Sequence, residues 1–157
     1  VGGSEEAFVN MMNRRAQELM ANGTHFMNPH GLHDDNHYTT AYDLYLIFNE
    51  CIKHEDFVNI IQSEAYTAYY TDVDGNSQEV LFTPTNLYAQ GEVDVPENVT
   101  IVGGKTGTTD EAGYCLILME KDSSDNPYIS IVMGASEKPV LYEDMTSLIE
   151  AIPSGQQ

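Results

Sequence analysis

Val99-Thr100-Ile101-Val102-Gly103-Gly104-Lys105-Thr106-Gly107-Thr108-Thr109 is an apolar, β-branched run that opens into a glycine-rich segment around one lysine. The run predicts a strand from Val99 to Lys105, and its glycines let a ligand or another backbone come close. Lys105 is the single Lys or Arg between His54 and Glu120, so a cation stands alone at the strand's end, suited to holding an anion. A phosphate-binding loop is one reading, because Gly104-Lys105-Thr106 matches the end of G-x-x-x-x-G-K-[ST]. That motif needs Gly where Val99 stands, and a helix immediately afterwards whose N-terminus faces the phosphate. Here Asp110-Glu111-Ala112-Gly113 leads into another strand-like run, so the phosphate-loop reading fails twice.

Outward from this segment, two further runs alternate with strand period, Gly113 to Glu120 and Tyr128 to Gly134, joined by the polar turn Asp122 to Pro127. Upstream, Ala65 to Val73 and Gln78 to Thr83 flank Asp74-Gly75-Asn76, a hairpin signal. Residues 84 to 98 read as a loop, and a final helix is expected from about Tyr142 to Ile152. The first part of the chain has helical spacing instead. Ser4 caps a helix from about Glu5 to Met20, closed by Asn22-Gly23. Thr39 or Thr40 caps a second helix reaching about Lys53, and a short third lies near Asp56 to Gln62. Helices first, then an antiparallel sheet and a closing helix, define an α+β fold: residues 1–62 helical, residues 63–157 sheet plus C-terminal helix, with no second domain.

The composition narrows the possible partners. Six Lys and Arg against twenty-five Asp and Glu give a net charge of −19, which argues against nucleic acid and against electrostatic docking on anionic membranes. No apolar run approaches the roughly 18 residues of a membrane span. Cys51 and Cys115 are isolated, each inside an apolar pattern, and read as small buried hydrophobes.

Lys105-Thr106-Gly107 also matches a triplet found in penicillin-recognising serine enzymes, where the lysine belongs to a strand lining the site. A longer string agrees. Gly104 to Thr109 is followed by Ala112-Gly113-Tyr114-Cys115-Leu116, and preceded by Phe8-Val9 with Met12-Asn13, and by Thr24-His25-Phe26 with Asn28-Pro29-His30-Gly31-Leu32. His37-Tyr38-Thr39-Thr40-Ala41 with Asp43-Leu44, and Thr85-Asn86-Leu87, complete it. In this order the chain resembles the D-alanyl-D-alanine carboxypeptidases, low-molecular-weight penicillin-binding proteins, over nearly its whole length. A β-lactamase shares the triplet, but the Asn28-to-Leu32 and His37-to-Leu44 strings look like the carboxypeptidases.

The resemblance implies a partial transpeptidase-like catalytic domain without cofactor or metal, acting on peptidoglycan stem peptides and binding β-lactams outside the cytoplasmic membrane. Lys105 would supply positive charge and help move protons beside the nucleophile. Thr106 would hold the substrate carboxylate, Gly107 would keep the strand surface open, and the Thr108 backbone N–H would donate to an oxyanion.

Three departures qualify this expectation. No serine has Lys three residues later, the spacing that puts hydroxyl and amine on one helix face; Ser136-Glu137-Lys138 is one residue too short. Ser124-Asp125-Asn126 matches the family's Ser-x-Asn only literally, because it follows Lys-Thr-Gly and sits in a turn. Ala135-Ser136 stands just beyond the last strand, where relatives often carry an Arg. The chain therefore reads as a C-terminal portion of the domain, with both missing signatures expected upstream, inactive alone. Lacking those elements, it is expected to form a homodimer or exchange strands. The alternative is a non-catalytic binding or regulatory module.

Other features read as structural. His25, His30, His33 and His37 with Asp34 and Asp35 have ligand-like spacings, but Pro29 and Gly31 argue against the helix those spacings need. Asp72 and Asp74 with Gly75 are read as a turn, since Thr83 stands where a calcium loop needs Glu. Tyr66, Tyr69 and Tyr70 are expected to pack in the sheet. Asn22-Gly23-Thr24 and Asn98-Val99-Thr100 are formal glycosylation sequons, without meaning in a bacterial chain.

Overall fold

A computed structural model describes residues 2–153. Three helices come first: α1 (Glu5–Glu18), α2 (Ala41–Cys51) and α3 (Glu55–Ile61). Ser4 caps α1 by accepting from the Ala7 N–H at 3.1 Å, and Thr40 caps α2 by accepting from the Asp43 N–H at 3.1 Å. A hairpin follows, β1 (Tyr66–Thr71) and β2 (Ser77–Phe82), then one helical turn α4 (Leu87–Gln90), strands β3 (Val99–Thr109), β4 (Gly113–Asp122) and β5 (Pro127–Ala135), and helix α5 (Lys138–Glu150). Strands β3, β4 and β5 form an antiparallel sheet in that order, and β1 and β2 form a separate two-stranded sheet. The architecture is α+β, as the sequence predicts.

The core lies between the three-stranded sheet and α5. Alternate β4 residues Leu116 and Leu118 point into it against Leu141, Tyr142, Met145 and Ile149 of α5. Their two-residue and three-to-four-residue spacings are what a sheet face and a helix stripe require. Tyr142 also reaches outward: its hydroxyl accepts from the Leu87 N–H at 2.9 Å, pinning the segment that leads to α4.

Several details correct the sequence reading. Lys105 is not at the end of its strand, because β3 runs four residues further; Thr106, Thr108 and Thr109 suit extended backbone and pair through Thr109↔Gly113. Helix α5 begins at Lys138, four residues early, since Pro139 sits in its first turn where a fixed φ is favourable. The segment at 84–98 is not all loop, because Asn86 caps α4 by accepting from the Tyr88 N–H. Helix α1 is closed by Met20 in the left-handed region (φ 63°), not by Asn22-Gly23. Gly23 is bare for a different reason. A Cβ there would stand 3.0 Å from Thr40 Cγ2 and 3.1 Å from Asp43 Oδ2, so the start of α2 packs directly on it. Both cysteines are only half-buried.

The loop between α1 and α2 is ordered by side chains. Asn13 on α1 clamps Phe26 twice, donating Nδ2 to its carbonyl at 2.8 Å and accepting from its N–H at 2.7 Å. His25 and Tyr38 pair as an isolated antiparallel bridge, and the Met27 N–H donates to His37 Nδ1 at 3.1 Å. That bond needs an unprotonated Nδ1, and burial lowers the His37 pKa in the direction that keeps it so. Asn13→Ala removes both halves of the clamp and leaves two partly buried backbone groups unpaired. The expected loss is about 1–2 kcal/mol in urea-unfolding free energy.

Candidate functional site

Strand β3 is an edge of the three-stranded sheet, so one of its two hydrogen-bonding sides has no neighbouring strand. Beside its central residues is a cavity of about 660 Å³, a volume typical of small-molecule sites. Gly104, Lys105 and Thr106 form one side of it. The other sides come from the end of α3 (Ile60, Ile61), the root of the hairpin (Tyr66, Phe82) and the segment Thr83 to Asn86 with Ala89 of α4. Lys105 is the sole charged side chain among these lining residues.

The local geometry follows from the glycines. Gly103 and Gly104 are bare because backbone crowds them. A Cβ on Gly103 would fall 2.3 Å from the Ile61 carbonyl oxygen, and one on Gly104 would fall 2.2 Å from that of Ile117. The first contact brings the end of α3 against β3 and closes the cavity at that side. Gly107 differs: the nearest atom to a Cβ there is Cys115 Cβ at 4.0 Å, its ordinary cross-strand neighbour. Packing does not require that glycine. Its bareness leaves the strand surface clear at that point.

Of the four residues singled out in the sequence, Lys105 and Thr106 line the cavity. Gly107 and Thr108 continue along the same exposed strand but are not among its lining residues. The Thr106 hydroxyl shares a hydrogen bond of 2.5 Å with the Thr85 hydroxyl. The Lys105 ammonium folds back to donate to the Thr106 carbonyl. Thr85 was visible in the sequence only as part of a motif; its proximity to Thr106 depends on how the segment after the hairpin returns to the sheet.

Ser124-Asp125-Asn126 lies elsewhere. It forms the β4–β5 turn, where Asp122 accepts from the Ser124 and Asn126 N–H groups at 2.8 and 2.9 Å. Asp122 pairs with Val99, six residues along β3 from Lys105, a span of about 20 Å. His33, just after the Asn28-to-Leu32 string, lies near the other end of the strand: its Nδ1 is 3.9 Å from Glu111 Oε2 in the β3–β4 turn.

The three tyrosines expected to pack are exposed, Tyr66, Tyr69 and Tyr70 at 66, 76 and 51%. The hairpin that carries them forms its own sheet rather than joining the main one, so neither of its faces is fully covered. Tyr66 and Phe82 are cross-strand partners whose side chains share a face, and both line the cavity.

An antiparallel sheet backed by a closing helix, with a Lys-Thr-Gly edge strand beside a cavity, defines a penicillin-binding transpeptidase-type domain. Comparison with known proteins agrees. The solved Streptomyces K15 DD-transpeptidase superposes with a TM-score of 0.81 at 25% identity, over 92% of this chain and 53% of that one. Residues 1–137 match the Peptidase_S11 family, D-alanyl-D-alanine carboxypeptidase, and the chain belongs to that family. The D-alanyl-D-alanine carboxypeptidase DacF of Bacillus subtilis is 32% identical over 96% of this chain and 36% of its own length. DacC of Escherichia coli is 28% identical over 95% of this chain and 34% of its own. The chain thus spans about a third of the length of the curated relatives it matches.

Proposed function

We propose that this chain supplies the carboxylate-recognising wall of a serine-type D-Ala-D-Ala carboxypeptidase that trims peptidoglycan stem peptides in the bacterial envelope. The observation that carries this reading is the placement of Lys105 and Thr106 together, on an exposed edge strand, beside a cavity in which Lys105 is the one charged lining side chain. An extended peptide laid along β3 brings its C-terminal carboxylate to the Thr106 hydroxyl and the Lys105 ammonium. Thr85 holds that hydroxyl in place. Lys105 offsets negative charge in a chain of net charge −19, which would otherwise repel the ligand.

The reaction so served is acyl transfer. A serine hydroxyl adds to the scissile carbonyl, D-Ala departs as the amine, and water releases the shortened peptide from the ester. On this reading the Thr108 N–H donates to the oxyanion of the tetrahedral intermediate. Neither Ser-x-x-Lys nor a Ser-x-Asn in the right place occurs in these 157 residues, so on this reading the nucleophile is supplied from outside this chain. The same gap supports a second reading, a non-catalytic module that binds such peptides or β-lactams through Lys-Thr-Gly.

Incubating the purified chain with benzylpenicillin is expected to leave its intact mass unchanged, and it is expected not to release D-Ala from a D-Ala-D-Ala peptide. A stable acyl adduct on this chain would overturn the claim of inactivity. Reading the source gene separates the two assignments: Ser-x-x-Lys followed by Ser-x-Asn in frame upstream of Lys-Thr-Gly supports the enzyme, and their absence supports the binding module.

A further inference from the structure

We propose that one face of the β1–β2 hairpin, running outward from the cavity, is a stacking surface for the uncharged sugar chain that bears the stem peptides. The inference rests on the reading above, that a stem peptide occupies β3, and assigns a partner to a surface which that reading leaves unused. Cross-strand pairs fix the face: Tyr66 with Phe82 at the root, then Ala68 with Val80, then Tyr70 with Gln78. Of these pairs only the first lines the cavity. Tyr70 and Val80 are open to solvent beyond it, and β2 is exposed along its whole length. Tyr66 and Tyr70 stand about 13 Å apart along the strand. The smaller Ala68 and Val80 leave a shallow saddle between the two rings.

The chemistry of this face selects among partners. None of its side chains is charged: Glu79 belongs to the opposite face with Tyr69. Asp72 is engaged within the turn, accepting from the Asp74 and Asn76 N–H groups at 3.0 and 2.9 Å and from Gln78 Nε2 at 2.8 Å. No Lys or Arg occurs between Lys53 and Lys105, so an anionic polymer or lipid surface meets no cation here. A second copy would bring another net charge of −19 against this one. A wholly apolar partner would bury the Tyr66 and Tyr70 hydroxyls without hydrogen bonds. A pyranose ring meets both requirements. Its C–H face covers an aromatic ring, and its hydroxyl and acetamido groups remain to bond the phenol oxygens and the Gln78 amide. Two rings spaced along an open strand suit successive units of an extended chain, whereas a small molecule is held in a concavity. The face begins at the mouth of the peptide site, so a peptide on β3 and the sugar chain it branches from meet adjoining surfaces.

The test uses the full 157-residue chain and ligand-observed NMR titrations with two separate probes, chitohexaose, an uncharged chain of N-acetylglucosamine, and the peptide N-acetyl-D-Ala-D-Ala. Chitohexaose is expected to bind, and Tyr70→Ser to weaken it about fivefold, the scale of one ring contact. Tyr70→Phe keeps the ring and should lose less. Tyr69→Ser, on the opposite face, and Lys105→Ala should leave chitohexaose binding unchanged, while Lys105→Ala weakens the peptide. Every one of these side chains is exposed, so the variants keep the fold. Failure of chitohexaose to bind, or binding that Tyr70→Ser leaves intact, would overturn the inference. Equal losses at Tyr69 and Tyr70 would overturn the assignment to this face. Co-sedimentation with phosphatidylcholine vesicles, or self-association, that Tyr70→Ser abolishes and chitohexaose does not displace would give the face to a membrane or to a second copy instead. Peptide binding indifferent to Lys105→Ala would overturn the reading of the β3 site, and the sugar titration would then stand or fall by itself.

Discussion

Glu120→Gln is expected to raise the unfolding free energy by about 3 kcal/mol at pH 8 and to change it little near pH 4.5. Glu120 lies on the inner face of β4, two residues beyond Leu118, and is completely buried. Neither carboxyl oxygen has a hydrogen-bond partner. Ser130 is the polar neighbour that favours the charged form, but without a bond of normal geometry it offsets little of the burial. Desolvation therefore dominates and pushes the Glu120 pKa up to about 7. The folded carboxyl holds its proton to about pH 7, whereas the unfolded one releases it near 4.5. The stability tied to this group is complete below about pH 4.5, falls as pH rises towards 7, and is level above that. At about 1.4 kcal/mol per pKa unit the total is about 3 kcal/mol. Urea unfolding of both proteins at pH 4.5 and pH 8 checks it, because the other acids of this chain contribute equally to each and cancel in the difference. An equal shift at both values would mean that Glu120 does not ionise within this interval.

Glu120 also shows where the sequence was legible and where it was read short. Its position was available: Leu116, Leu118 and Glu120 share the two-residue period that puts them on one face of the strand. Apolar alternation alone ends the strand at Glu120, whereas β4 continues to Asp122 and carries the acid into the interior. Caps were readable for a related reason, since Ser4 and Thr40 act on groups three residues away. The α+β class follows from periodicity, and the place of Lys105-Thr106-Gly107 on a strand lining the site from the resemblance. The helix end at Met20 did not, because its left-handed φ serves its neighbour rather than its own preference: Met20 is exposed, while the turn lets the Ala21 N–H donate to the Ala16 carbonyl at 2.9 Å and buries Ala21. The cavity was the least legible feature. Thr85 reaches Thr106 across twenty-one positions, and Phe82 and Ile61 reach the same space from two other elements. Nothing local to those residues encodes that meeting. The exposed tyrosines failed for the complementary reason: a strand pattern marks one face for burial but does not say whether any layer covers it.

The same substitution at two glycines of β3 is expected to have opposite effects. Gly103→Ala puts a methyl 2.3 Å from the Ile61 carbonyl oxygen and 2.6 Å from its carbon, and both are backbone atoms at the end of α3 that cannot rotate away. Gly103 has no left-handed φ, so the cost is one of space rather than conformation. The helix must move off the strand, with an overpacking loss of about 2–3 kcal/mol. Its displacement carries Ile60 and Ile61 with it, so probe binding in the cavity should fall in parallel with stability. Gly107→Ala meets only Cys115 Cβ at 4.0 Å. There the alanine reduces the freedom of the unfolded chain, and stability is expected to stay level or rise by about 0.5 kcal/mol. Yet the added methyl stands on the strand surface that an extended peptide must cover, so affinity for a D-Ala-D-Ala probe should still drop. Thermal unfolding together with one titration per variant separates the two roles. Loss of stability with loss of binding is expected at Gly103, and loss of binding alone at Gly107. If Gly107→Ala bound the probe as well as the parent chain does, the bare stretch of β3 would not be the surface along which the peptide lies.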